Sequence, residues 1–387
     1  MLNKQIYSFA LVLKIVTFAA GAVFTFAAPG VLKQDYSRLI EIFSVVSVFT
    51  IIASYGSAGN IMRNYTLAKS YGAESFLIYS LLPKKIAVYS LIFFTISYFY
   101  EWYIAIAVII ADIGLIGSLI LYAEKKYIHK QIYLPAQALL KVLLLFVLKS
   151  NFFLFLLIYI LVPRVTYIIQ VLSKIKEGSK YRNSQIIKHK LVKNENSTYI
   201  MLVFFEVYLH SPIVILPLFN GNGSVNNQFA FIYALGMVSY GLISTINELI
   251  LPTLLANRED KNFHKSYAST GMLIALTYFI LTAFAIQFIT QLMQIEKIQH
   301  TPLVDIYITS TFFFLAYTMN LIRQIYFAQD MQSKWIFIFI MSSFMGFVLF
   351  YIVPFAAKEI IILIGLIVVI TTFAMLHLQN LKKKKCY

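Results

Sequence analysis

The sequence predicts an all-α integral membrane protein of about 12 transmembrane helices, arranged as two six-helix lobes. The first observation is composition: 60% of the 387 residues are hydrophobic and 12% are charged, whereas a soluble globular chain has about 25% charged residues. The second is that apolar runs of roughly 20 residues, the length that crosses a bilayer, recur along the whole chain. The third is that lysine and arginine alternate between successive loops.

Short polar breakers separate the predicted spans, for example NGNGSVNNQ at 220–228 and NREDKN at 257–262. The first apolar run is interrupted by Lys14 and is followed by no small-x-small cleavage site, so we expect it to remain as a helix and not to be a signal peptide. The predicted spans are 7–28, 38–60, 84–100, 103–122, 133–149, 151–173, 198–219, 228–255, 268–293, 302–325, 334–354 and 358–380.

The basic residues predict that the protein lies in the cytoplasmic (inner) membrane with both termini in the cytoplasm. An even number of spans places most of the 32 Lys and Arg residues in inner loops, including Lys84 and Lys85, and this bias orients membrane proteins. The net charge of +16 is therefore interpreted as cytoplasmic loop charge, and no nucleic-acid partner is expected. The single cysteine, Cys386, excludes a disulfide framework and a cysteine metal site.

The longest hydrophilic stretch divides the chain near its middle. The predicted domains are an N-terminal lobe at 1–173, a basic cytoplasmic linker at 174–197, a C-terminal lobe at 198–380 and a basic tail at 381–387. The linker is interpreted as a solvated connection, with an acidic-lipid or nucleic-acid patch as the alternative. The stretch that starts at Asp35 can be laid over the one that starts at Asn227, which predicts a parallel pseudo-repeat about an axis along the membrane normal.

The loops and motifs argue against an enzyme. The predicted outer loops are too short for an extracytoplasmic catalytic domain, which argues against a polysaccharide polymerase. The chain has no G-x-x-x-x-G-K-[ST] phosphate loop, no H-E-x-x-H and no G-x-S-x-G. We therefore expect no cofactor and no metal site, and an architecture made almost entirely of spans favours transport.

Two stretches resemble one transporter family. YSRLIEIFSVVSVFTIIASYGSAGNIMRNYTLAKS, from Tyr36, looks like the second-span region of the bacterial O-antigen and polysaccharide repeat-unit flippases. FAFIYALGMVSYGLISTINELILPTLLAN, from Phe229, resembles the corresponding part of that family's second half. These flippases belong to the multidrug/oligosaccharidyl-lipid/polysaccharide exporter superfamily, and the resemblance extends to length and six-plus-six layout.

The resemblance implies a translocase that moves undecaprenyl-pyrophosphate-linked sugar units to the outer leaflet by alternating access. It implies the lipid-linked oligosaccharide and membrane lipids as partners, a coupling ion (H⁺ or Na⁺), and a polysaccharide polymerase or assembly complex. The alternative is a small-molecule or drug exporter of the same superfamily, which would need an acid-lined cavity and fewer first-lobe lysines. A flippase cavity should offer cations to the pyrophosphate.

Lys14 is the first candidate substrate-binding cation. Thr17, Gly21 and Thr25 follow it at helical spacing and form one small, polar stripe, which predicts that the lysine faces a cavity. The alternative is that Lys14 snorkels to the cytoplasmic interface from about 10 Å below it.

Lys141 and Arg164 are the other candidate substrate-binding cations. Lys141 follows Gln137 by one helical turn, and its alternative role is a structural ion pair with Asp112. Arg164 follows Pro163, and its alternative role is an anchor at the membrane interface.

The acidic candidates are interpreted as ion-coupling or helix-pairing residues. Glu206 and His210 lie at i and i+4, so they share a helix face and can form a proton site or a packing contact. Arg323, further along the stripe of Asp305, is interpreted as an interfacial anchor. The full set of ion-coupling or helix-pairing candidates is Asp112, Glu206, His210, Glu248 and Asp305.

Overall fold

The computed structural model describes residues 2–55, 57, 61, 64–65, 68–124, 127–149, 151–181, 196–214, 227–257, 260–292, 303–329, 331–352 and 357–384. These residues are almost entirely helical and contain no β-strand, which confirms the all-α class. The helices of the first half are α1 Leu2–Leu32, α2 Tyr36–Ala53, α3 Glu74–Phe99, α4 Trp102–Ala123, α5 Tyr127–Leu148, α6 Phe152–Leu161 and α7 Val165–Gly178. Those of the second half are α8 Asn196–Val214, α9 Asn227–Ala256, α10 Lys261–Leu292, α11 Leu303–Ala328, α12 Gln332–Ile352 and α13 Ala357–Lys384.

Five helical segments in the described part of the chain are long and apolar enough to cross a bilayer. They are Ile15–Ala53, Glu74–Phe99, Trp102–Leu121, Phe152–Gly178 and Asn262–Phe288. Large apolar side chains on them are exposed, including Leu91, Phe94 and Leu281, as lipid-facing residues must be. The chain is therefore a membrane protein, while the count of twelve spans stays a prediction.

The start of α3 differs from the predicted third span. The span was expected to begin at residue 84, whereas the helix begins at Glu74 and continues through Pro83. Lys84 is exposed but Lys85 is buried, so Lys85 is not the loop residue that the sequence predicted. Pro83 does not end the helix, since proline is tolerated inside membrane helices where neighbouring groups satisfy the freed carbonyl.

The chain divides into two compact units. The N-terminal unit comprises Met1–Asp35 and Ile42–Tyr199, and the C-terminal unit comprises Tyr36–Glu41 and Ile200–Tyr387. The first turn of α2 thus belongs to the C-terminal unit, where the backbone N–H of Ser37 donates to the Asn227 side chain at 2.9 Å. Within the predicted linker, residues 174–178 continue α7, and residues 182–195 lie outside the described part of the chain.

Part of the helix packing is shared by the two units. In the N-terminal unit, α4 packs against α3, α5 and the α6–α7 segment, and α5 packs against α6. In the C-terminal unit, α11 packs against α10, α12 and α13, and α12 packs against α13. In each unit, one helix therefore packs against the helix before it and the two segments after it.

A hydrophobic cluster joins one end of α3, α4 and α7. Tyr65, Leu77, Ile120 and Val171 are buried together there. Burial raises the pKa of Tyr65, so its hydroxyl stays protonated and donates to Glu124 at 2.9 Å. Two of these helices, α3 and α4, also carry Lys85 and Asp112.

Candidate functional site

Lys141 of α5 lies among aromatic rings. Its Nζ is 4.1 Å from the ring centroid of Phe24 on α1, 4.1 Å from that of Phe43 on α2 and 5.8 Å from that of Tyr159 on α6. Such distances allow cation–π attraction between the ammonium and the ring faces. We call Lys141 and these three rings the aromatic cage.

The rings of the aromatic cage also pack on one another. Phe43 and Tyr159 have centroids 5.3 Å apart, Phe24 and Phe43 6.1 Å apart, and Phe155 touches all three rings. Phe24 and Phe155 are almost fully buried. Because the close packing of α1 and α5 brings Phe24 onto Lys141, the cage is fixed by core packing.

Within the described residues, no carboxylate forms an ion pair with the ammonium of Lys141. Its side chain is partly exposed and not sealed in the core. A cation that is held by ring faces and can still be reached is suited to bind an oxyanion.

Asp112 pairs with Lys85, and not with Lys141. Its Oδ2 accepts from Lys85 Nζ at 2.7 Å and from the Tyr89 hydroxyl at 2.7 Å. Lys85 is 4% exposed and Asp112 is fully buried, so this is a closed, neutral ion pair. The predicted alternative role of Lys141 as the partner of Asp112 is therefore wrong.

The Lys85 ammonium also binds the end of α2. It donates to the Ala53 carbonyl, and the Tyr199 hydroxyl donates to the adjacent Ile52 carbonyl at 2.8 Å. The Ile52 carbonyl also accepts from the Tyr55 N–H at 3.2 Å, whereas Lys85 satisfies a carbonyl of the kind that a helix C-terminus leaves without a partner. The negative end of the helix dipole favours a cation there. Sequence reasoning missed Lys85, although its i, i+4 spacing with Tyr89 was a usable signal.

Arg164 lies in the 3-10 turn Val162–Arg164 between α6 and α7. Its Nη1 donates to the Ile160 carbonyl at 3.0 Å, and its methylene stem lies directly against Gly114 of α4. One turn along α4, Gly117 makes the same close approach to Tyr167. The glycines let α4 pack tightly at this turn, which fixes the position of the guanidinium.

Glu206 and His210 lie together on α8, as the i, i+4 spacing indicated. Glu206 Oε2 is 3.8 Å from His210 Nε2, and His210 Nδ1 is 3.1 Å from the Tyr233 hydroxyl of α9. The geometry has that hydroxyl donate to the Leu209 carbonyl at 3.0 Å, an arrangement that assigns the imidazole proton to Nδ1. The unprotonated Nε2 then faces the Glu206 carboxylate, and one added proton would allow an ion pair between the two side chains.

Arg323 of α11 is directed into the C-terminal unit, so its predicted role as an interfacial anchor is wrong. Its Nη2 donates to Asn320 Oδ1 at 2.6 Å, and its Cζ lies 4.6 Å from the ring centroid of Phe205. Glu206 is close enough for electrostatic interaction with Arg323 but forms no ion pair with it within 4 Å. The distribution of basic residues between successive loops does not distinguish an arginine that faces the helix interior from one at the membrane interface.

The remaining predicted residues are dispersed. Asp305 lies in the first turn of α11, 18 residues or about 27 Å from Arg323 along the helix axis, so the two do not share a site. Lys14 lies on α1 about 15 Å along the axis from Phe24, hence well away from the level of the aromatic cage. The side chains of Lys14 and of Glu248 on α9 lie outside what the structure describes.

The stripe beside Lys14 is less polar than its sequence suggested. The hydroxyls of Thr17 and Thr25 donate to the carbonyls of Leu13 and Gly21, one turn back in their own helix, at 2.9 Å each. Hydroxyls that bond within their helix are not free donors for a substrate.

The described helices thus carry one caged cation, one closed ion pair and one carboxylate–histidine contact. No cluster of His, Cys, Asp or Glu in the described residues could hold a metal ion. No family model, curated protein or solved structure matches the chain.

Proposed function

We propose that the protein is a flippase that moves undecaprenyl-pyrophosphate-linked oligosaccharide units across the cytoplasmic membrane by alternating access. The observation that carries the proposal is the aromatic cage, which holds an ammonium within the helices beside no described carboxylate. The lipid tail of such a substrate can remain in hydrocarbon, but its pyrophosphate cannot cross without compensating positive charge.

The contrast with Lys85 supports this choice of Lys141. Asp112 neutralises the charge of Lys85, and both side chains are buried, so Lys85 is not available to bind an anion. Arg164, fixed against Gly114 on a helix segment that packs on α5, is the second proposed phosphate-binding cation.

The proposed transporter has two six-helix lobes related by a parallel pseudo-repeat, with both termini in the cytoplasm. The helix packing that recurs around α4 and α11 supports the pseudo-repeat. Glu206 and His210 are the proposed coupling site, and the unprotonated Nε2 that faces Oε2 favours a proton over Na⁺ as the coupled ion.

The exporter alternative predicts carboxylates that are free to bind a cationic drug. Among the described carboxylates more than one turn from a helix end, Asp112 is paired with Lys85, Glu41 has Arg38 as a basic neighbour, and Glu206 has His210 and Arg323. This arrangement favours an anionic substrate.

Genetic complementation tests the proposal. The gene is deleted in its own strain, surface polysaccharide is scored, and the wild type, Lys141→Met or Lys141→Arg is restored at matched membrane expression. Loss of a charge-assisted contact to phosphate lowers binding roughly tenfold or more, so we expect Lys141→Met to restore little polymer and Lys141→Arg to restore most of it.

Lys149→Met is the matched control, since it removes the same charge from an exposed residue one position beyond α5. Full polymer with Lys141→Met, or no loss of polymer on deletion of the gene, would contradict the proposed function.

A further inference from the structure

Arg323 has hydrogen-bonding capacity that no described residue uses. Its Nη2 is committed to Asn320, but Nε and Nη1 are buried and have no acceptor within the described part of the chain. A buried charged donor that lacks an acceptor loses the hydration it had in water and gains nothing in return.

The surroundings hold the guanidinium in one orientation. Asn320 lies on the same helix three residues earlier and fixes one nitrogen, while the ring of Phe205 on α8 supports the guanidinium carbon at 4.6 Å. A planar guanidinium that is already fixed in position and has unused N–H donors can bind an oxyanion at a small cost in conformational entropy.

The nearby carboxylate of Glu206 does not accept a hydrogen bond from Nε or Nη1 of Arg323. Glu206 directs its Oε2 toward His210, and its interaction with Arg323 is electrostatic, without a hydrogen bond. Glu206 would therefore oppose a second negative charge at Arg323, which makes it a sensitive reporter of whether an anion binds there.

We propose that Arg323 is an oxyanion-binding site of the C-terminal unit and accepts a phosphate or carboxylate oxygen of the transported substrate. The inference rests on the proposed function and extends it, because the substrate-binding cations predicted from the sequence, Lys14, Lys141 and Arg164, all lie in the first lobe. In the predicted topology, Arg323 lies about 8 Å from the cytoplasmic end of α11, on the side where a lipid-linked sugar is made.

Binding measurements on the full chain in lipid nanodiscs test the site. Isothermal titration is performed with inorganic pyrophosphate, which represents the lipid phosphate, and with glucuronate, which represents an acidic sugar. We expect Arg323→Gln to weaken binding of one probe roughly tenfold or more, and the affected probe identifies the source of the oxyanion. We expect Glu206→Gln to tighten binding of the same probe because it removes an opposing charge.

Lys334→Gln controls for net charge, since Lys334 is an exposed lysine at the start of α12. The site is overturned if Arg323→Gln binds both probes as Lys334→Gln does. The proposal is also contradicted if Glu206→Gln weakens binding of the probe, because that result is expected when Glu206 only holds Arg323 in position. If Arg323→Gln does not fold, the effect of Glu206→Gln decides.

Lys141→Met separates this inference from the proposed function. Loss of pyrophosphate binding in Lys141→Met, together with full binding of both probes in Arg323→Gln, would leave the flippase proposal standing and remove the Arg323 site. The complementation experiment with Lys141→Met tests the flippase independently.

Discussion

Lys85 and Lys141 lie within helices of the same unit, and their surroundings give them opposite properties. Lys85 is sealed against Asp112 and the end of α2, whereas Lys141 meets ring faces and stays partly exposed. The sequence predicted a substrate-binding cation within a membrane span at Lys141. It could not predict the aromatic cage, because Phe24, Phe43 and Tyr159 come from three separate helices.

Stability measurements test the closed ion pair. We expect Asp112→Asn to destabilise the protein by about 3–5 kcal/mol, because Lys85 would be left buried without its counter-ion. The double variant Lys85→Met with Asp112→Leu should recover most of that loss, since it removes both charges together. Chemical unfolding in detergent measures both effects, and Lys84→Met, at the exposed neighbour, is the control. Equal stability of Asp112→Asn and the wild type would contradict the pairing.

At the scale of the helices, the apolar runs predicted the elements but not all of their ends. The α3 helix begins ten residues earlier than expected because Pro83 and two lysines resemble a loop in sequence. The segment 152–178 fits one predicted span, yet a 3-10 turn interrupts it at Arg164. That turn is fixed by the close approach of α4, which is a tertiary contact and leaves no local pattern.

The glycines of α4 and α1 provide a matched pair for testing helix packing. A Cβ at Gly117 would lie 2.6 Å from Tyr167 Cβ and 2.8 Å from its carbonyl oxygen, whereas a Cβ at Gly21 meets nothing within 4 Å. We expect Gly117→Ala to destabilise the protein by about 1–3 kcal/mol. Gly21→Ala should be neutral or stabilise it by up to about 1 kcal/mol, as alanine favours a helix. Thermal unfolding of both variants compares them, and equal melting temperatures would argue against the close contact of α4 and α7.

At the scale of the whole molecule, composition alone established a helical membrane protein. Along the chain, the two units meet between Tyr199 and Ile200, just after the hydrophilic stretch at 174–197 that the sequence shows. The sequence does not predict that residues 36–41 belong to the C-terminal unit, because the contact between Ser37 and Asn227 joins residues far apart in sequence.

The single native cysteine makes the predicted topology testable. A membrane-impermeant maleimide should label Cys386 in inverted vesicles and not in intact cells, since the basic tail is predicted to be cytoplasmic. Asn222→Cys in a Cys386→Ser background places the only thiol in a predicted outer loop, and it should show the reverse pattern. Labelling of Cys386 from outside would invert the topology, and with it the proposed direction of transport.

The Lys85–Asp112 ion pair also constrains how the chain enters the bilayer during synthesis. A lysine near the centre of a lone helix raises the free energy of membrane insertion by about 3 kcal/mol, so α3 alone is a poor candidate for release into lipid. Its counter-ion is carried by α4, which begins only three residues after α3 ends. Insertion of α3 and α4 as a hairpin, with the charges already neutralised, avoids that cost. The nascent third helix should therefore stay at the translocon until the fourth has been made.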